Sequence, residues 1–146
     1  MAQGRVSRRG FLRLGAAAAA AVCGGCGMFG SRKADVVAEP RQGVIRLTSA
    51  QSAALLASEG SILVEAEGHP DKILVVHLAD HVLYAVSATC TRMGCTTTYD
   101  KDTGEIHCPC DDSRYALDGS VISGPAKRPL RRYDVTLEND QVLIKL

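Results

Sequence analysis

Four cysteines on two short segments constrain this chain more than anything else in it. The first segment reads C-T-R-M-G-C from Cys90 to Cys95, and the second C-P-C-D-D-S-R-Y from Cys108 to Tyr115. Twelve residues separate Cys95 from Cys108. Within them, the stretches 96–99 and 105–107 read as strands around Asp100-Lys101-Asp102-Thr103-Gly104, a strong turn signal. A hairpin there sets the two cysteine loops side by side at one end of a sheet. Four cysteines brought together in this way imply disulfides, a metal site, or one of each.

The rest of the globular part follows a strand pattern. Residues 44–47, 61–66, 72–78 and 81–87 are short runs rich in Val, Ile and Leu, broken by turn residues such as Gly68-His69-Pro70-Asp71 and Ala79-Asp80. Thr48-Ser49-Ala50-Gln51 offers an N-cap for one short helix through Leu55 and Leu56. Val121-Ile122 is a further strand, and residues 133–138 and 142–146 around Asn139-Asp140 form a closing hairpin with a two-residue turn. No Gly-rich phosphate loop and no helix-rich parallel-sheet pattern appears. The fold class is all-β.

The cysteine segments resemble the two cluster-binding loops of Rieske iron–sulfur proteins, which read C-x-H-x-G-C and C-P-C-H-G-S-x-Y or F. The resemblance covers residues 44–146 and includes Gly94, Pro109, Ser113, Tyr115, Asp118-Gly119 and the run Gly124-Pro125-Ala126-Lys127-Arg128-Pro129-Leu130, similar to the family's proline loop. It implies a small antiparallel β-sandwich or barrel with a subdomain of two Cys loops, at about residues 88–130, that holds a 2Fe-2S cluster. Cys90 and Cys108 would bind one iron, and positions 92 and 111 would carry the histidines of the other. By the same resemblance Cys95 and Cys110 form a disulfide. Ser113 and Tyr115 would donate hydrogen bonds to cluster sulfurs, and Gly124 and Pro125 would shield the cluster.

Both histidine positions are replaced, by Arg92 and Asp111. Two neutral imidazoles on one iron give a Rieske centre its high potential and its proton-coupled step. A guanidinium has no lone pair to offer at pH 7. Asp111 could ligate through oxygen, but its negative charge would lower the potential. Asp112 stands where the family has Gly, in a place where Asp tolerates left-handed backbone. Without a cluster, Cys90 and Cys108 would be neighbouring thiols able to form a second disulfide, and Arg92 could pair with Asp111. Outward Arg92 with facing sulfurs favours that form; inward Asp111 beside both thiols favours a metal.

Four readings follow. The first is a Rieske-fold subunit of a redox complex that has lost its conventional cluster and serves as a structural or docking module. The second is an electron carrier that keeps a 2Fe-2S cluster on replacement ligands such as Asp111. A zinc site drawing on Cys90, Cys108 and two of Cys95, Cys110, His107 and Asp111 is a third. A thiol–disulfide exchanger is the fourth, without the helix N-terminus that activates such thiols. Among the histidines, His69 and His81 flank turns and read as solvated, and His77 lies in a strand. Strand alternation points His107 away from the side of Cys108. The fold supplies a carrier rather than a substrate pocket, so no enzyme activity is expected of the chain alone.

The N-terminus adds a cellular address. Ser7-Arg8-Arg9-Gly10-Phe11-Leu12-Arg13 resembles a bacterial twin-arginine export signal, with Arg8 and Arg9 as the arginine pair. The mostly Ala run 14–22 after it is short of the ~20 residues of a secure membrane span. The protein is expected at the outer, periplasmic face of the cytoplasmic membrane, held by an uncleaved signal/anchor helix or by lipidation of Cys26. Residues 1–30 are thus the signal or anchor, 31–42 a linker, and 43–146 the domain. Residues 1–33 carry six basic and no acidic side chains, so the remaining 113 residues have a net charge of −5. An acidic domain without Trp is a poor nucleic-acid binder. Its expected partners, by resemblance, are cytochrome- or oxidoreductase-type subunits of a membrane complex.

Overall fold

A computed structural model of the chain describes residues 32–56 and 60–146. The expected export signal with its arginine pair Arg8 and Arg9, and the expected lipidation site Cys26, lie outside the described residues. Among those described, no helix is long and apolar enough to cross a membrane.

Eleven strands form two sheets among the described residues. The larger holds β1 (Val36–Ala38), β3 (Gly60–Ala66), β4 (Lys72–His77), β5 (Leu83–Ser87), β10 (Arg132–Glu138), β11 (Gln141–Lys145) and β2 (Val44–Leu47), in that order. Its outer strands β1 and β2 approach one another, so the sheet curls into a nearly closed barrel. The smaller sheet is a four-stranded antiparallel meander of β6 (Thr98–Asp100), β7 (Glu105–His107), β8 (Arg114–Tyr115) and β9 (Val121–Ser123). The one α-helix among the described residues, α1 (Ser49–Leu56), is opened by a reciprocal cap. The Thr48 N–H donates to Gln51 Oε1 at 3.0 Å and the Gln51 N–H to Thr48 Oγ1 at 3.4 Å.

Alternation along β3 and β4 explains how the two sheets share a wall. Ile62, Val64 and Ala66, with Ile73 and Val75, face the barrel interior beside Ile45, Leu47, Leu55, Val142 and Ile144. Leu63, Leu74 and Val76 point the other way, into a second core with Val86, Ile106, Tyr115, Ala126, Leu130 and three of the cysteines. Strands buried on both faces read as continuous apolar runs rather than as alternating ones. That is the texture of Ile-Leu-Val in β3 and Ile-Leu-Val-Val in β4. The subdomain with the cysteine loops therefore rests on the outside of the barrel.

Two expectations are corrected, and a third, the closing hairpin, stands as expected. Val36–Ala38 is not linker: it pairs with Val64–Ala66, and does so in parallel, unlike the otherwise antiparallel strands. Its short polar surroundings hide a pairing partner almost thirty residues away. Strand β5 starts at Leu83 rather than residue 81, because Ala79–His81 is a turn of 3-10 helix in which Asp80 and His81 hold positive φ of 64° and 60°. The hairpin between β10 and β11 turns through Asn139 and Asp140, both at positive φ, as a primed two-residue turn requires.

Tyr133 is buried in the barrel core, yet among the described residues its hydroxyl finds no partner. Burial raises its pKa. An unpaired buried hydroxyl costs about 1–3 kcal/mol of desolvation. Tyr133→Phe should thus leave the urea unfolding midpoint unchanged or raise it by the equivalent of about 1 kcal/mol. The Arg131 guanidinium, 5.1 Å from the ring centre, keeps an aromatic face to stack on. A loss above about 1 kcal/mol would reveal a hydrogen bond on that hydroxyl.

Candidate metal centre

The first cysteine loop leaves β5 and closes on itself. The Cys90 N–H donates to the Cys95 carbonyl at 2.8 Å and the Gly94 N–H to the Cys90 carbonyl at 2.9 Å, with Gly94 at φ +73°. The second loop, between β7 and β8, repeats the device. The Cys108 N–H reaches the Ser113 carbonyl at 2.9 Å, and the Asp112 N–H reaches the Cys108 carbonyl at 3.0 Å. Asp112 takes a φ of 56°, the left-handed geometry that a Gly would adopt freely and that Asp tolerates.

A disulfide joins Cys95 to Cys110 and ties one loop to the other. Cys90 and Cys108 stand as free, buried thiols. Asp111 turns inward beside them: its side chain is only 4% exposed, and its carboxylate lies 3.7 Å (Oδ2) and 3.9 Å (Oδ1) from Cys90 Sγ. Cys90, Cys108 and Asp111 can each present a ligand atom within 4.8 Å of the other two. Arg92, half-exposed, reaches back to place a guanidinium nitrogen 3.9 Å from Asp111 Oδ2. The expected ion pair is present, at the long end of its range. Its neighbour Asp112 points out to solvent and meets His107 Nε2 at 3.1 Å. His107 thus sits apart from the three donors, as strand alternation indicates.

The environment separates the two thiols. Burial alone would raise the Cys90 pKa, but N–H groups of Met93 and Arg92 and contacts with Tyr115 and Cys108 together bring it below the ordinary value. Cys108 is pushed up to about 12, by burial first and then by its hydrogen bond to Cys90. Burial opposes ionisation of Asp111 too, yet the Ser113 backbone N–H, donating to Oδ1 at 3.0 Å, and contacts with both thiols hold its carboxyl below the usual range. Of the two sulfurs beside the carboxylate, Cys90 gives up its proton more readily than Cys108.

The proline loop is clasped over the first cysteine loop by contacts that sequence reasoning missed. The Thr91 hydroxyl donates to the Arg128 carbonyl at 2.8 Å, and the Arg128 guanidinium to the Thr91 carbonyl at 3.0 Å. The Tyr115 hydroxyl lies 3.2 Å from Thr91 Oγ1 and 3.5 Å from Cys90 Sγ, and burial raises its pKa. The Tyr115 hydroxyl thus bridges the first loop's thiol and its threonine. Ser113 differs: its hydroxyl accepts the Ala126 N–H at 3.1 Å and so fastens the proline loop. Gly124 packs its α-carbon against the Ser113 backbone, and Pro125 follows it, exposed. His69 is not simply solvated either, since its Nδ1 closes a turn with Asp71 and its ring packs edge-on against Tyr133.

The profile of the Rieske [2Fe-2S] domain matches residues 49–134. A cytochrome b6-f complex iron-sulfur subunit of Chlorobaculum tepidum is 40% identical over 76 residues, spanning 52% of this chain and 41% of that protein. Subunit 1 of the same name from Synechocystis is 35% identical over 97 residues, spanning 66% and 48%. The chain thus spans about half the length of the relatives it matches. Among solved structures, the cyanobacterial plasma membrane Rieske protein PetC3 from Synechocystis is 29% identical, with a TM-score of 0.55 over 66% of this chain and 93% of that one. The family's centre takes two Cys and two His. The donor set here is two thiols and one carboxylate, with a guanidinium at the remaining position. These residues do not fit the histidine-ligated cluster.

Proposed function

The chain belongs to the Rieske [2Fe-2S] domain family, and from that membership we propose that it is a subunit of a membrane electron-transfer complex in which the histidine-ligated cluster is missing and the domain is a structural and docking module. The observation that carries this is Arg92 and Asp111 at the two histidine positions, paired with each other. Arginine offers no lone pair, and a carboxylate cannot carry the proton that imidazole exchanges on reduction. Relatives named as cytochrome b6-f iron-sulfur subunits support the kind of complex. The partners are then cytochrome- or oxidoreductase-type subunits. The twin-arginine segment supports export to the periplasmic face of the membrane, with the chain held there by its N-terminal helix or by lipid on Cys26.

One observation favours a second reading, a carrier with a 2Fe-2S cluster on replacement ligands: Asp111 is turned toward both thiols. Iron and acid-labile sulfide analysis of the full chain, purified without air, decides between them. The first reading expects less than about 0.1 iron or sulfide per chain, against the two of each that a binuclear cluster holds. Two irons and two sulfides, with the paramagnetic signal of a reduced binuclear cluster, would establish the carrier.

A further inference from the structure

We propose that Cys90, Cys108 and Asp111 form a three-ligand site for one soft divalent cation of the zinc class, with Arg92 as its charge-balancing neighbour. The proposal rests on the reading that the binuclear cluster is missing, and adds what the vacated loops hold instead. A binuclear cluster needs four protein donors divided between two irons. Here three donors converge on one place, all within 4.8 Å of each other. In tetrahedral zinc, with bonds of ~2.3 Å to sulfur and ~2.0 Å to carboxylate oxygen, ligand sulfur and oxygen lie about 3.5 Å apart. The Cys90 Sγ to Asp111 Oδ2 distance is 3.7 Å. At this pair the separation is already close to that of two zinc ligands, and Cys108 lies within 4.8 Å of both.

Burial and charge point the same way. The Asp111 carboxylate, 4% exposed beside two buried sulfurs and oriented by the Ser113 N–H, offers a cation a preformed anionic ligand. Arg92 compensates only in part, half-exposed and 3.9 Å away. Two thiolates, one carboxylate and a divalent ion sum to one negative charge, and Arg92 supplies the matching positive one. As the two sulfur–metal bonds form, the thiol protons leave to solvent. Outer contacts already orient the ligands, as such sites require. The Ser113 N–H fixes Asp111, and the Tyr115 hydroxyl and the Met93 and Arg92 N–H groups surround Cys90. Three protein ligands leave the fourth position to water or a small anion.

The test is titration of the air-free full chain, its Cys95–Cys110 bridge intact, with cobalt(II), followed by displacement with zinc. The expected result is one cobalt per chain, with thiolate-to-cobalt absorption and the visible bands of tetrahedral cobalt, all erased by zinc. Asp111→Asn should weaken binding by at least the ~10–100-fold that loss of an outer contact costs, and Cys90→Ser should abolish the two-thiolate absorption. Asp112→Asn, at a carboxylate 93% exposed on the same loop, should leave affinity unchanged. Circular dichroism separates loss of ligand from loss of fold. Equal effects of Asp111→Asn and Asp112→Asn would overturn the site. So would a chain that binds no metal because Cys90 and Cys108 are disulfide-bonded, which leaves the docking reading standing. Two irons and two sulfides would overturn both.

Discussion

Gly124→Ala should destabilise the domain by about 3 kcal/mol, the sum of left-handed backbone strain and forced overpacking at ~1–3 kcal/mol each. Gly124 holds φ +95°, and a Cβ there would lie 2.6 Å from Ser113 Cα, 3.0 Å from the Asp112 carbonyl oxygen and 3.1 Å from the Ser113 nitrogen. All three are backbone atoms, so no side-chain rotation relieves the contact. The proline loop must lift, and it would take with it the Ala126 N–H on Ser113 and the Arg128 clasp on Thr91. Gly43→Ala supplies the control, since Gly43 shares a positive φ of 75° but meets nothing within 4 Å. It should cost about 1 kcal/mol, the backbone component alone. Urea unfolding midpoints of the two variants measure the difference. Equal midpoints would mean that the proline loop is not seated on the second cysteine loop.

Removing the Cys95–Cys110 bridge, by Cys95→Ser and Cys110→Ser together, should cost a further similar amount. The bridge spans 15 residues, and closing a loop of that length removes about 3 kcal/mol worth of unfolded-chain freedom in the chain-entropy account. The double substitution avoids leaving an unpaired thiol that could capture Cys90 or Cys108. The barrel core shares no residue with the bridge. Calorimetry should therefore show a lower transition temperature for a molecule with an intact sheet signature. A loss below about 1 kcal/mol would show that the loops are held mainly by their backbone bonds, such as the Thr97 N–H to the Ala88 carbonyl at 2.7 Å.

Where the signal is local, the sequence predicts the structure closely. Strands Val44–Leu47 and Glu105–His107, the capped helix and the Asn139-Asp140 turn stand where their patterns place them. Strand Val36–Ala38 escapes, because three residues beside Pro40 carry no periodicity and their partner is β3. At the site, the cysteine spacing predicts the meeting of the loops, but not the fate of each side chain at their tips. Adjacent Asp111 and Asp112 are identical in composition and opposite in exposure, 4% against 93%. Loop dihedrals, which follow no period, decide between them. The Thr91–Arg128 clasp has no sequence signal, since a threonine's hydroxyl finds a carbonyl 37 positions away only through the fold.

Two cores lean on the same pair of strands, so the seat of one depends on the register that builds the other. Leu63, Leu74 and Val76 present their outward face only once β3 and β4 are paired in register. A slip of one residue exchanges the inward and outward sets. Until that register is set, the cysteine loops have no surface to condense on, and Cys95 has no fixed reason to meet Cys110 rather than Cys90 or Cys108. The barrel thus acts as the template of the thiols: the surface on which Cys95 meets Cys110 is set by the register of two strands that carry no cysteine themselves.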